Sequence, residues 1–121
     1  MKNILNITKA LADENRLRAL MMLRAGEMCV CHIIEMLELA PSTVSKHMSI
    51  LKQADLVATR RAGKWTYYRL AETASAEGEI IDWVCRQLRN RPQIKKDAAK
   101  LKAQLGRHIA VPACCKKNAD R

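Results

Sequence analysis

Two sets of side chains in this sequence have the types and spacing to do chemistry. The first is thiol. Cys29 and Cys31 stand one residue apart, and Cys114 and Cys115 are adjacent in a polar tail that runs on into Lys116 and Lys117. Sulfur ligands with no cluster of hard oxygen donors beside them suit soft ions: As(III), Sb(III), Cd(II), Pb(II) and Cu(I) ahead of Mg(II) or Ca(II). Burial cannot explain vicinal thiols in a polar tail, so Cys114 and Cys115 read as ligands or as a redox pair. Cys85 falls on an apolar stripe and reads as packing. The second set is polar. Read as a helix with 100° per residue and Val44 at zero, Ser42, Lys46, Ser49 and Gln53 fall between roughly 140° and 200°. Such a face of short hydroxyls, an amide and a cation can bond base edges and phosphate oxygens.

The elements that must hold these groups can be read from the apolar spacing. Val44, Met48 and Leu51 recur at the i, i+4, i+7 interval of a buried stripe, so the polar face rides on a helix packed from behind. Pro41 suits its first position. Upstream, Ile4, Ile7 and Leu11 mark a helix over about 3–11. Asp13 caps a second, with Leu17, Leu20 and Met21 inward, Arg16, Arg18 and Arg24 elsewhere, and Gly26 at its end. A third helix covers about 29–38, with Ile33, Met36 and Leu37 apolar and Glu35 and Glu38 outward. The third helix and the polar-faced one, joined by Leu39-Ala40-Pro41, make a helix-turn-helix. Leu56–Arg61 and Lys64–Leu70 read as two strands turning at Ala62-Gly63, a hairpin with Arg60, Arg61 and Lys64 at its tip. Helix returns from Glu77 with Ile81, Val84, Cys85 and Leu88, is interrupted at Arg91-Pro92, and resumes over about 92–106 with Ile94, Ala98, Leu101 and Leu105. Residues 1–106 are thus expected to form one winged helix-turn-helix domain, and 107–121 a flexible cysteine-containing tail. The first helix and the C-terminal helices carry more apolar surface than such a small domain uses internally, which predicts a homodimer.

Charge agrees with a polyanion partner. The 121 residues carry a formal net charge of +10 at pH 7. The excess is concentrated, because residues 41–70 hold six basic side chains and one acidic. That is the footprint of a double-stranded DNA contact, and a two-fold dimer matches a palindromic site. No apolar run approaches the ~20 residues needed to span a bilayer, no basic helix has a Trp-bearing apolar back for lying on one, and Met1–Asn6 has no signal-peptide character. The chain is therefore expected in a reducing cytoplasm without a membrane partner. There, five cysteines favour ligand, sensor or packing roles over a disulfide framework. A thiol enzyme would want C-x-x-C beside a βαβ unit, and neither is present; no catalytic residues are assigned.

The spacing of Cys29 and Cys31 carries a constraint. Positions i and i+2 of an ideal helix lie about 200° apart, so both thiols can serve one ligand only where the first turn is unwound. An ion gripping both would distort the start of the third helix and move the reading helix behind it. The helix N-terminus would favour the thiolates. His32 beside the pair reads as exposed rather than as a ligand.

Four segments in this order resemble the ArsR/SmtB repressors over about residues 5 to 90: Ala12–Arg18, Glu27–Cys31, Ser42–Met48 and Gly63–Leu70. Cys-Val-Cys at the third helix together with Gly-Lys-Trp and Tyr-Arg-Leu in the wing looks most like the arsenic-responsive branch. The resemblance implies a homodimeric repressor, joined through its first and fifth helices, that leaves its own operon's promoter when arsenite or antimonite, As(III) or Sb(III), binds cysteines. It carries Ser42, Thr43, Ser45 and Lys46 of the reading helix and Arg60, Arg61 and Lys64 of the wing over as DNA contacts. His47 matches the motif but sits about 60° from Val44, leaning inward. The branch commonly has a third cysteine where this chain has Ile34, so Cys114 or Cys115, from its own chain or its mate, is expected to complete the site. Alternatively the tail pair alone takes a trivalent organoarsenical. The N-terminal cysteines of the cadmium/lead branch and the Asp/His pattern of zinc sites are missing. A thiol redox-sensing repressor or one answering Cd or Pb on the same fold stands as the alternative.

Overall fold

The computed structural model describes residues 1–108; of the expected tail, 107–121, residues 107 and 108 belong to the last helix, and the remainder, with Cys114 and Cys115, lies outside the described residues. The helices fall where the apolar stripes put them: α1 (Lys2–Leu11), α2 (Glu14–Met22), α3 (Val30–Leu37), α4 (Pro41–Gln53), α5 (Ala76–Leu88) and α6 (Pro92–His108). The strands are β1 (Met28–Cys29), β2 (Val57–Ala62) and β3 (Trp65–Leu70). They form one antiparallel sheet in the order β1-β3-β2. This is the winged helix-turn-helix fold expected from the sequence.

Each boundary has a local cause. The Asp13 carboxylate accepts from the backbone N–H of Asn15 at 2.8 Å and of Arg16 at 3.3 Å, which caps α2. Burial raises its pKa, but those N–H bonds outweigh it and hold it below the usual carboxylate value. A single 3₁₀ turn, Leu23–Ala25, closes α2 at Gly26, whose φ of 134° is open to glycine and strained for other residues. Between α3 and α4, Glu38 takes the left-handed conformation at φ 56° and its N–H bonds Ile34 O at 2.9 Å. Lys100 Nζ reaches Glu38 at 2.9 Å and the Met36 carbonyl at 3.3 Å, so α6 fastens this turn from outside. The α4 helix ends in a Schellman motif: Leu56 N–H bonds Leu51 O at 3.1 Å and Asp55 N–H bonds Lys52 O at 2.9 Å, with Asp55 at φ 59°.

Val44, Met48 and Leu51 are all fully buried against Leu20, Ile33, Met36 and Leu56. Each such side chain stabilises by about 1.5–3 kcal/mol relative to exposure. The core therefore lies directly behind α4. Two expectations about inner stripes need amendment. On α1, Ala10 is buried and Ile7 and Leu11 are partly so, but Ile4 and Leu5 are exposed. On α6, Leu101 enters the core while Asp97, at 4% exposure, is buried as well. Asp97 is there because Arg18 meets it with two bonds, Nε–Oδ2 at 2.8 Å and Nη2–Oδ1 at 3.0 Å. Arg18 thus ties α2 to α6, and α6 is partly used up inside the protomer.

Candidate nucleic-acid interface and thiol cluster

The α4 helix presents its outer face as expected. Ser42, Thr43, Ser45 and Lys46 are exposed, as are Ser49 and Gln53, and Lys46 enters no ion pair among the described residues. His47 is half-buried, and Arg16 explains it. The Arg16 guanidinium bonds the last carbonyls of α1, Nη2 to Lys9 O and Nε to Ala10 O, both at 3.0 Å, and its Nη1 lies 3.0 Å from His47 Nδ1. Arginine can only donate, so Nδ1 accepts and the ring proton sits on Nε2. Arg16 therefore does not point away; it locks the α1–α2 corner to the reading helix.

In the wing, the register Ala62↔Trp65 puts the turn at Gly63-Lys64, one residue later than expected. Gly63 takes φ 62°, and Lys64 is not in the left-handed region, the pattern of a type II′ hairpin. Lys64 is at the tip and Arg61 is exposed, its Nη1 3.4 Å from Thr66 Oγ1. Arg60 departs from the expected tip position. It is folded back along the strand onto Glu27, with Nη2–Oε1 at 2.5 Å and Nε 3.2 Å from both oxygens, and lies 4.6 Å over the Tyr67 ring. The bond from Arg60 holds the Glu27 carboxyl below its ordinary value.

The thiol pair sits at the root of this wing. Cys29 belongs to β1, not to the first turn of a helix: it pairs with Tyr67 of β3 and serves as the extended N-cap of α3, at φ −65° and ψ 143°. The departure from helical geometry that two thiols need at i and i+2 is therefore built into the backbone. Cys29, 4% exposed, and Cys31, 8% exposed, form a small cluster of their own, covered by Trp65 and Tyr67. Alternation along β3 explains the cover, since Tyr68 and Leu70 pack on the main core and Trp65 and Tyr67 on the thiols. The Trp65 Nε1 atom is buried and has no hydrogen-bond partner among the described residues.

Three expectations about this cluster are corrected. The helix N-terminus does not win at Cys29, because burial raises its pKa and the N–H groups of Cys31 and His32 only partly offset that. His32 is buried, not exposed, and its Nε2 is 3.1 Å from Gln104 Oε1 on α6. Distortion at Cys29 would pass first to β3, its hydrogen-bonded neighbour, and only then to α4. Cys85 is half-buried, beside a separate cavity of about 340 Å³ lined by Met21, Arg24, Ile94 and Ala98 among others. Among the described residues no three His, Cys, Asp or Glu side chains gather as a metal site. Cys29 and Cys31 bring two sulfur atoms, soft donors, to one small cluster. No helix among the described residues is long and apolar enough to cross a membrane.

Sequence reasoning passed over Glu27, Trp65, Tyr67 and Gln104. The Trp and Tyr were legible as strand residues, and strict alternation could have placed them on one face. The partners that fix them, β1 and α6, could not be read locally.

Comparisons with known proteins agree with this arrangement. The family described as bacterial regulatory protein, arsR family, matches residues 13–59, from the cap of α2 into β2. The chain is 35% identical over 115 residues to the arsenic resistance transcriptional regulator ArsR1 of Pseudomonas putida, covering 90% of this chain and 84% of that one. It is 37% identical to the arsenical resistance operon repressor of Escherichia coli over 69% of this chain and 74% of that protein. Among solved structures, a homodimeric winged helix-turn-helix DNA-binding domain from Mycobacterium bovis, a possible ArsR-family regulator, superposes with a TM-score of 0.64 at 28% identity, over 75% of this chain and 82% of that one.

Proposed function

The chain belongs to the arsR family of bacterial regulatory proteins, and from that premise we propose that it is a homodimeric repressor whose grip on a palindromic operator is released when As(III) or Sb(III) engages its cysteines. The observation that carries the reading is the position of Cys29: within the strand that hydrogen-bonds the wing, with a second cysteine two residues on. On DNA, α4 lies in the major groove with Ser42, Thr43, Ser45 and Lys46 toward base edges and phosphates, and His47 offers its Nε2–H to the backbone. Arg61 and Lys64 reach across the neighbouring phosphates from the wing. Arg60 joins them when it leaves Glu27. The homodimer uses α1 and α5, on which Ile4, Leu5 and Trp83 are 66, 60 and 56% exposed. Such a protein works where the DNA is, in the reducing cytoplasm, and needs no catalytic cofactor.

The first two ligands are the sulfurs of Cys29 and Cys31. They are covered by Trp65 and Tyr67, so a ligand can be admitted only by lifting part of β3 from β1. That motion pulls on Glu27 and the arginine it holds, and it displaces the wing. The third sulfur comes from a tail cysteine, of the same chain or of its mate. Gln104 bonds His32, the neighbour of Cys31, and α6 ends one turn later at His108. From there six residues lead to Cys114, a reach of up to about 20 Å, so Cys114 or Cys115 can return to the cluster. A peroxide sensor at Cys29 is disfavoured, because burial there lowers the share of reactive thiolate.

The test is binding of the full chain to its own promoter, with salt held fixed, before and after adding arsenite, antimonite and Cd(II) in turn. Release by the trivalent ions is expected. A complex that survives arsenite at concentrations consuming the thiols would overturn the reading. Counting sulfurs around bound As(III) by X-ray absorption should give three in the wild type and two in a Cys114→Ser/Cys115→Ser variant.

A further inference from the structure

One guanidinium joins three elements beside the reading helix. The Arg16 side chain is 11% exposed. Its Nε and Nη2 donate to Ala10 O and Lys9 O near the end of α1, both at 3.0 Å, and its Nη1 lies 3.0 Å from His47 Nδ1 and 4.0 Å from the Asp13 carboxylate. The two carbonyls and Asp13 already give this cation its acceptors and close the α1–α2 corner. The bond to His47 adds little to that corner; what it fixes is a side chain of α4. A neutral imidazole has one acceptor nitrogen and one donor nitrogen. Arg16 takes the acceptor from the α2 side, which sets the turn of the ring and leaves the proton on Nε2. Phosphate oxygens accept and do not donate. An unheld ring could turn over or move its proton to Nδ1, and either change takes the donor from the place where a phosphate would meet it.

We infer that Arg16 is a positioning residue for operator binding: through Nδ1 it holds His47 in the orientation and tautomer whose Nε2–H donates to a DNA phosphate. The inference rests on the reading of α4 as the DNA-reading helix. It also gives α1 a part in recognition. The guanidinium that holds the ring hangs from the end of α1, a helix of the proposed dimer. The His47 donor is therefore placed relative to that seam as well as to its own core. A donor fixed before DNA arrives need not be ordered on binding, and that saving in entropy appears as affinity.

A double-mutant cycle on the full chain, read as affinity for its own promoter at fixed salt, tests this. His47→Ala should weaken binding about tenfold, the value of one hydrogen bond to a charged group. Arg16→Lys keeps the charge and loses the planar fork, and should weaken it about fivefold. In the His47→Ala background, Arg16→Lys should cost less than about twofold more. Losses that multiply across the two substitutions would overturn the inference and leave Arg16 a structural residue. Wild-type affinity in His47→Ala would overturn it too, and a loss in Lys46→Ala would then keep the α4 reading standing. Should neither substitution weaken binding, the α4 reading falls and this inference with it. The ring gives a second readout that does not depend on Arg16→Lys folding. The chain has three histidines, and His47→Ala assigns the ¹⁵N ring signals of His47. With the ring neutral, Nδ1 should be bare and Nε2 protonated, and operator DNA should shift the Nε2–H signal and slow its exchange with water. A proton on Nδ1, or an Nε2–H that operator DNA leaves unmoved, would overturn the inference.

Discussion

The reading helix and the wing do adjacent work and are built in opposite ways. On α4 the division is complete: Val44, Met48 and Leu51 are fully buried, and Ser42, Ser45 and Lys46 are exposed. The helix is set by core packing and a Schellman close, and its outward groups are ready before DNA arrives. The wing is only half committed. Arg60 is spent on Glu27, Trp65 holds a buried donor without a partner among the described residues, and the two aromatic residues facing Cys29 and Cys31 are themselves only partly buried. Under the proposed function, a reader set by the core beside a half-committed wing separates recognition from control. On that proposal, sequence preference resides in one element, and the response to a ligand begins in the other.

Substitutions can break that contrast in order of expected size. Met48→Ala should cost about 2–5 kcal/mol in urea unfolding, since it opens a cavity behind α4; a loss below 1 kcal/mol would mean that the reader is not anchored by its buried stripe. Lys46→Ala should leave stability within about 0.5 kcal/mol yet weaken operator binding and reduce the salt slope by about one unit. An unchanged slope would remove Lys46 from the phosphate contacts. Glu27→Gln frees Arg60, so it should tighten DNA binding modestly at low salt while costing no more than about 1 kcal/mol of stability, as exposed ion pairs do.

The same pair gives the smallest effect, a pH signature. The folded pKa of Glu27 is depressed by Arg60. Its contribution is therefore present above the unfolded carboxylate value and is lost as pH falls through the depressed folded one. Melting temperatures of the wild type and Glu27→Gln should differ at neutral pH and converge as the pH falls through the depressed folded value. A difference that grows in acid would contradict the sign.

The contrast also tracks what could be read from the sequence. The α4 stripe, Pro41 at its first turn, the Asp13 cap and the winged topology all rest on spacing within a dozen residues, and these were legible. What escaped notice depended on distant partners. His32 is buried because Gln104, far along the chain, bonds it; Arg18 turns inward for Asp97; Arg60 leaves the tip for Glu27. The two-residue strand β1 is too short to alternate, so Cys29 passed for helix and its thiol seemed poised by a dipole. The hairpin turn moved by one residue because Gly63 supplies a positive φ at the first central position.

The central claim is that the thiol pair acts through the wing. Native-state hydrogen exchange, followed residue by residue with and without arsenite, tests it most directly. The amides pairing β1 with β3, at Met28, Cys29, Tyr67 and Tyr68, should lose protection when arsenite binds, while the buried turns of α4 around Met48 keep theirs. Loss of protection in α4 with an undisturbed β1–β3 pairing would contradict it.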